Sequence, residues 1–413
     1  MLYISPHRER SDWNNMKDTA APVFRLTPDC IWDAFQSSHK KHLILTGARK
    51  SGKSTLLSGL LSRNVLPCPL PGITTWAEPG KAVYLRENST GETVCIGLYD
   101  KTLSGTEKRL HSGIYRMSTD ISSGPDAAGN KMRPCEEGFL TLGITALRRC
   151  MEAENEYVPL DEIGYLESGC QDYCEEIRRL MACRRVLAVT RKQSLPFLEE
   201  LCRREDVFLV DLDQPFGRLG CVIMASGLGA RFGGNKLMAD FHGKPLIQRA
   251  LDATEGIFDR RIAATRHKEV EKLCRLQGVD VLLHDLPYRS DTVRLGLQAV
   301  SGETEGCLFC PGDQPLLRRD TIAALALSAV NDRNAIWRPV WEDTEGAPVL
   351  FPKWSFPELL ALPRDCGGSF LLKKYPERIR RVPVRDRYEL LDVDSRQDLE
   401  FLSSLFVLRQ QNI

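Results

Sequence analysis

Along most of the chain, short apolar or β-branched runs alternate with stretches whose apolar positions recur every three to four residues. That is the pattern of strands leading into amphipathic helices in a layered α/β protein. HLILT (42–46) reads as a strand and KSTLLSGLLSR (53–63) as the helix after it. KAVYLRE (81–87) and ETVCIGLYD (92–100) read as paired strands joined by the turn NSTG. FLTLGITALRRCMEAE (139–154) reads as helix, and YVPLDEIG (157–164), RRVLAVT (184–190) and DVFLVDL (206–212) as further strands. Pro159 removes a ladder donor from the first of these, so that strand is expected to be locally irregular. Residues 1–40 are polar apart from the amphipathic piece CIWDAFQSSHK, and read as an extension with little core of its own. Residues 117–137, rich in Gly, Pro, Ser and Asp, read as a long loop. The alternation breaks at DQPFG (213–217) and restarts with LGCVIMAS, which predicts an extension 1–40, a domain 41–213 and a second domain 218–413.

A length of 413 residues agrees with two domains. With 42% hydrophobic and 27% charged residues the chain is globular, not disordered. A net charge of +1 offers no basic excess for nucleic acid. No apolar run reaches membrane-span length, and the opening MLYISPHRERSDW has charges with no apolar core behind them. Neither a membrane partner nor a signal peptide is expected, and the expected location is the cytoplasm. Fourteen cysteines are scattered and expected to stay thiols. Cys307-x-x-Cys310 lies in a strand-like run, and Cys170 and Cys174 share a helix face; both pairs read as packing.

Two glycine-rich loops carry the candidate chemistry. Gly47-Ala-Arg-Lys-Ser-Gly52-Lys53-Ser54 fits G-x-x-x-x-G-K-[ST] between a predicted strand and helix, the context of a phosphate-binding P-loop. Backbone N–H groups there turn inward at the positive end of a helix; Lys53 reaches the β- and γ-phosphates, Ser54 ligates Mg²⁺, and Thr55 adjoins the site. Such a loop needs an acid at a neighbouring strand end. Asp161 is placed for the metal and Glu162 for orienting or deprotonating the attacking water. A solvated Asp-Glu pair at a turn is the rival reading.

The second loop, Ala225-Ser226-Gly227-Leu-Gly229-Ala-Arg231-Phe-Gly-Gly-Asn-Lys236, follows the strand-like CVIM and is neither a P-loop nor a dinucleotide fingerprint. Arg231 and Lys236 can fold over a triphosphate, which suits attack at the α-phosphate with pyrophosphate leaving. Asp313 follows a strand-like run and Asp394 lies near the C-terminal end; hard carboxylates of this kind suit Mg²⁺ when phosphates supply the other ligands. For Asp313 the rival reading is a helix N-cap, and for Asp394 a capping box in DSRQDL.

GARKSGKSTLL, PGITTW and LDEIGYLES resemble the small nucleoside-triphosphatase family first described from thermophiles, over about residues 42–212. The resemblance implies slow hydrolysis of an NTP, ATP or GTP, with Lys53, Ser54, Asp161 and Glu162 in those roles and Arg191-Lys192 near phosphate. ASGLGARFGGNKLMADFHGKPLI, PGDQPLL, EGAPVLF and LLDVDSRQDL resemble the molybdenum-cofactor nucleotidyltransferases, the cytidylyltransferase branch in particular, over about 218–405. Gly312-Asp-Gln-Pro315 and the aspartates at 392 and 394 favour that branch over the guanylyl branch. This resemblance implies a Rossmann-like domain that transfers CMP from CTP to molybdopterin. Its setting would be maturation of a molybdenum hydroxylase, the expected target protein. The expected fold class is therefore α/β in two domains, a P-loop NTPase sheet with helices on both faces followed by a Rossmann-like nucleotidyltransferase. RDCGGSFLL (364–372) departs from the family pattern and leaves the acceptor open. A sugar-1-phosphate nucleotidyltransferase and a non-catalytic, nucleotide-gated cofactor chaperone are the alternatives. Lys244 reads as a structural or loop contact.

Overall fold

A computed structural model of the chain describes residues 24–63, 70–100 and 132–411. They fall into two compact units. One is His39–Pro215; the other joins the residues before His39 to Phe216 and everything after it.

The first unit is built on an eight-stranded sheet. Its strands are β1 (His42–Thr46), β2 (Ile73–Glu78), β3 (Ala82–Glu87), β4 (Thr93–Tyr99), β5 (Met132–Pro134), β6 (Tyr157–Ile163), β7 (Arg185–Thr190) and β8 (Val207–Asp211), ordered β5-β4-β3-β2-β6-β7-β1-β8. From β2 through β8 the pairing is parallel, and β2 to β5 form an antiparallel edge. The parallel strands read as continuous apolar runs because helices cover both of their faces; β1 is buried at all five positions. β6 carries its irregularity between Asp161 and Ile163, at the candidate site, two residues beyond Pro159. Pro159 itself stands beside Gly72, where β2 has not yet begun and a Cβ would meet the Pro159 carbonyl at 2.5 Å.

The second unit holds β9 (Leu219–Ala225), β10 (Arg260–Thr265), β11 (Asp280–Leu283), β12 (Gly306–Pro311), β13 (Ile336–Trp341), β14 (Thr344–Glu345), β15 (Val349–Pro352) and β16 (Ile379–Pro383). The order is β11-β10-β9-β12-β15-β13-β14, with β16 beside β13. β9 lies between parallel neighbours β10 and β12, so the loop after β9 and the motif after β12 open at the same sheet edge.

Two expectations change. The extension is not irregular throughout. Pro28–Ser38 is helix α1, and it packs into the second unit against helix Arg319–Asn331. Cys30, Ile31, Ala34 and Phe35 are buried; Thr27 Oγ1 donates to Asp320, and Arg385 binds Asp29 and Asp33. An apolar helical stripe needs a partner face, and helix 319–331 supplies one that neighbouring sequence does not. The long loop at 117–137 is likewise shorter: Met132–Pro134 is edge strand β5 and Glu136–Gly138 a helical turn. Residues 117–131 of that loop lie outside the described residues.

Candidate active sites

In the first unit the loop after β1 turns through positive φ at Gly47, Lys50 and Gly52, as a phosphate-cradling backbone requires, and enters α2 (Lys53–Arg63). Lys53 is buried and its ammonium donates to the carbonyls of Gly47 (3.0 Å) and Ala48 (2.9 Å), so it lies across the mouth of its own loop. Ser54 and Thr55 sit in the first turn of α2 and are exposed. Ser54 Oγ donates to Asp161 Oδ1 at 3.0 Å, which brings the loop and the β6 acid together although β7 separates their strands. Burial, with the charge of Glu162 beside it, raises the Asp161 carboxyl above its usual range, against the Ser54 hydrogen bond. Glu162 is not a free base here: its carboxylate is bound by the Arg191 guanidinium, and its backbone N–H donates to Thr75 Oγ1 at 3.0 Å. Lys192, the other half of the basic pair, is held by Asp211 (2.8 Å) and Asp213 (3.0 Å). Asp213 was not singled out in the sequence. Its carboxylate accepts from the Ala48 N–H at 3.0 Å, on the phosphate loop itself. Glu167, three residues beyond Gly164 and bonded to its N–H at 2.7 Å, is buried, and burial pushes its carboxyl up to about 7.

In the second unit β9 ends at buried Ala225 and the loop follows. Gly229 has φ +62°, and a Cβ there would meet the Gly234 carbonyl at 2.2 Å; the turn Gly229–Gly233 exists only with glycine at that point. Gly227 is unencumbered. The loop is braced from the neighbouring strand ends: Arg266 donates to Ser226 O (2.8 Å), His267 lies 2.9 Å from Gly227 O, and Thr265 donates to Ala225 O (2.9 Å). Ser226 Oγ donates to Ala264 O and meets His284 Nε2 at 2.8 Å; burial and the Arg266 charge lower the His284 pKa, which favours neutral imidazole. Sequence reading missed this bracket. Its one signal is the basic pair in TRHKEV directly after β10.

The decisive geometry lies at Lys236. Its ammonium is 2.7 Å from Asp313 Oδ2 and 3.0 Å from Asp394 Oδ1, and Arg231, largely exposed, reaches Asp394 Oδ2 at 3.1 Å. Burial alone would lower the Lys236 pKa; the two carboxylates outweigh it and hold it above its ordinary value. The four charged residues named from sequence for this loop thus meet at one point. The Val393 N–H donates to Asp313 O (2.9 Å), which ties the C-terminal segment to the motif after β12. Gln314 is buried and donates to Leu390 O (3.3 Å), so it positions that same segment. Asp392 reaches solvent, yet crowding by protein atoms and the charge of Asp313 push its carboxyl up to about 6.

Helix 319–331 starts at Arg319 with Arg318 as N-cap, so Asp313 is not a cap. Ser395 and Asp398 exchange the capping bonds of the last helix, which leaves the Asp394 side chain to Lys236 and Arg231. Lys244 pairs with Asp252 at 2.9 Å on the surface and is a structural contact. Cys307 and Cys310 are buried in β12 and Cys170 and Cys174 in the first unit, all as unpaired thiols.

The NTPase family matches residues 110–215, downstream of the phosphate loop, and the MobA-like NTP transferase domain family matches residues 221–379. A probable molybdenum cofactor guanylyltransferase of Bacillus licheniformis is 36% identical over 45% of this chain and 96% of its own length. The chain belongs to the MobA-like NTP transferases, with an NTPase domain ahead of the transferase. A 3-deoxy-manno-octulosonate cytidylyltransferase of Neisseria gonorrhoeae is 30% identical over 42% of this chain and 79% of its own. Among solved structures, a Mycobacterium tuberculosis Rv0371c homologue from Mycobacterium sp. strain JC1 is 26% identical over 46% of this chain and 97% of its own, with a TM-score of 0.41. By its family membership the chain is a nucleotidyltransferase with a second, NTPase-family domain. Among the described residues, no helix is long and apolar enough to cross a membrane.

Proposed function

We propose that the second unit transfers CMP from CTP to a molybdopterin-type cofactor with release of pyrophosphate. The first unit, in this reading, hydrolyses ATP or GTP, and both serve maturation of a molybdenum hydroxylase. The observation that carries the transferase half is the convergence of Arg231, Lys236, Asp313 and Asp394 at the mouth of the Ser226–Gly229 loop. Arg231 and Lys236 are placed to neutralise the triphosphate and the charge that builds on pyrophosphate as it leaves. The acceptor phosphate oxygen attacks the α-phosphorus, the bond to the bridging oxygen breaks, and the loop amides hold the nucleotide in line.

Mg²⁺ fits this donor set. Asp313 and Asp394 present hard oxygens around one point, and the Lys236 ammonium already stands between them as a cation would. Among the described residues no group of three or more His, Cys, Asp or Glu is arranged to hold a metal, so substrate phosphates must complete the shell. When bound, Mg²⁺ supplies charge neutralisation at the α-phosphate. In the first unit Ser54 and Asp161 are the corresponding pair.

The Gly312–Pro315 motif and the aspartates at 392 and 394, two segments that Gln314 and Val393 join, support the cytidylyl choice through their resemblance to that branch. Similarity to 3-deoxy-manno-octulosonate cytidylyltransferases supports a sugar-type acceptor as the second reading. The test is to incubate the protein with each labelled NTP and molybdopterin or a sugar acceptor, following pyrophosphate against phosphate. Pyrophosphate released only with CTP and molybdopterin is the expected result, and acceptor-dependent release with GTP or a sugar acceptor instead would replace it. Lys53→Ala should abolish phosphate release and leave pyrophosphate release intact. Loss of both from folded protein would join the two reactions into one cycle.

A further inference from the structure

The hairpin β2–β3 of the first unit carries an exposed group of side chains that neither the phosphate loop nor its acids use. Thr74 faces Arg86 and Trp76 faces Tyr84 across the ladder, so all four side chains emerge on one face of the sheet. The other face sends Ile73, Val83 and Leu85 into the core. Trp76 is 37% exposed, and Tyr84 stacks on it at 5.5 Å and 25°. The Arg86 guanidinium lies 5.6 Å from the Trp76 ring centroid, and among the described residues no carboxylate pairs with it. Thr74 Oγ1 donates to Asn88 Oδ1 at 2.9 Å, and the Asn88 N–H donates to Gly72 O at 3.0 Å, so Asn88 is held at both its side chain and its backbone. Thr74, Trp76, Arg86 and Asn88 line one cleft of about 160 Å³.

The location gives the cleft its meaning. Thr74 is the register partner of Asp161, the acid that Ser54 touches, on the adjacent strand. Two strand spacings, roughly 10 Å, separate Arg86 from Asp161. A ligand there lies beside the triphosphate site without overlapping it, because the triphosphate is cradled by residues 47–54 after β1, and β6 and β7 lie between β1 and the hairpin.

We propose that this cleft binds a second ligand of the P-loop unit, a planar nitrogen heterocycle carrying a phosphate monoester. The ring stacks on Trp76, its hydrogen-bonding edge meets Asn88 and Thr74, and the phosphate pairs with Arg86. An aromatic face beside a guanidinium that no carboxylate among the described residues neutralises matches that chemistry in both of its parts, and a sugar phosphate satisfies only one of them. The inference concerns the first unit and does not depend on what the transferase site accepts.

The ligand class has two sources, nucleoside monophosphates and phosphorylated pterins. Calorimetric titration of the full-length protein, with the P-loop first filled by a non-hydrolysable ATP analogue and Mg²⁺, separates them. The probes are AMP, GMP, 6-hydroxymethylpterin phosphate and ribose 5-phosphate. Saturable binding of GMP or AMP identifies a nucleotide site, and of the pterin phosphate alone a pterin site; ribose 5-phosphate should not bind. Trp76→Ala and Arg86→Gln should each weaken the bound probe by at least roughly tenfold, while Trp76→Phe retains most of the affinity. Absence of binding by all three heterocyclic probes overturns the proposal. So does binding that Trp76→Ala and Arg86→Gln leave unchanged in protein with wild-type thermal unfolding.

Discussion

Asp313→Asn is the substitution that bears most directly on the transferase reading. The change preserves size and most hydrogen bonding and removes one negative charge. Locally, Lys236 loses the charge of its 2.7 Å partner but keeps Asp394 at 3.0 Å and the backbone tie between Val393 and residue 313, so the loop should remain in place. CTP should therefore bind with only modest loss. In the proposed reaction the transition state would suffer more, because this carboxylate would hold the cation at the α-phosphate. A unit charge acting over about 4 Å in a partly buried site with an effective dielectric near 20 is worth roughly 4 kcal/mol. That corresponds to about 10³-fold in rate. The assay is pyrophosphate release with CTP and acceptor over a range of Mg²⁺, with phosphate release measured in parallel. Transfer should fall by that order while hydrolysis at the first loop, whose own pair is Ser54 and Asp161, stays unchanged. Near-normal transfer in Asp313→Asn would refute the argument and reduce the Gly-Asp-Gln-Pro motif to a fold marker.

Three further outcomes are expected. Glu162→Gln should leave NTP binding near normal and slow phosphate release by roughly 10²-fold, measured by single-turnover kinetics; unchanged turnover would make the Glu162–Arg191 pair purely structural. Glu167 has a folded pKa of about 7 against an ordinary 4.5, so its ionisation opposes folding. The penalty is absent below pH 4.5, grows as pH rises towards 7 and is then constant, at up to roughly 3 kcal/mol. Glu167→Gln should therefore raise the unfolding temperature of the first unit at pH 8 more than at pH 5, and an equal change at both would contradict the assignment. Phe35→Ala in α1 removes a ring that is 1% exposed and should destabilise the second unit by about 3–5 kcal/mol, lowering pyrophosphate release at elevated temperature before phosphate release. Parallel loss of both activities would mean that α1 does not belong to the second unit alone.

What the sequence by itself determined is whatever local pattern encodes. β1 and α2 around Gly47–Ser54 follow from an apolar run, glycines and a helical stripe within about twenty neighbouring residues, and the strand-then-loop at Cys221–Lys236 follows in the same way. Asp161, Asp313 and Asp394 were legible as acids after apolar runs or within family-like motifs. Their partners were not. Lys236 meets Asp394 across a separation of 158 positions, and that meeting requires β12 to lie beside β9 and the Val393 N–H to bond Asp313 O. The Glu162–Arg191 pair likewise depends on β6 lying beside β7. The strand beside which Pro159 sits and the unit that α1 joins are also long-range choices, whereas the cap of the last helix is a local exchange between Ser395 and Asp398. Hydrophobic periodicity specifies which face of an element must be buried. Only packing of the complete chain decides which partner buries it, and therefore which charges end within 3 Å of one another.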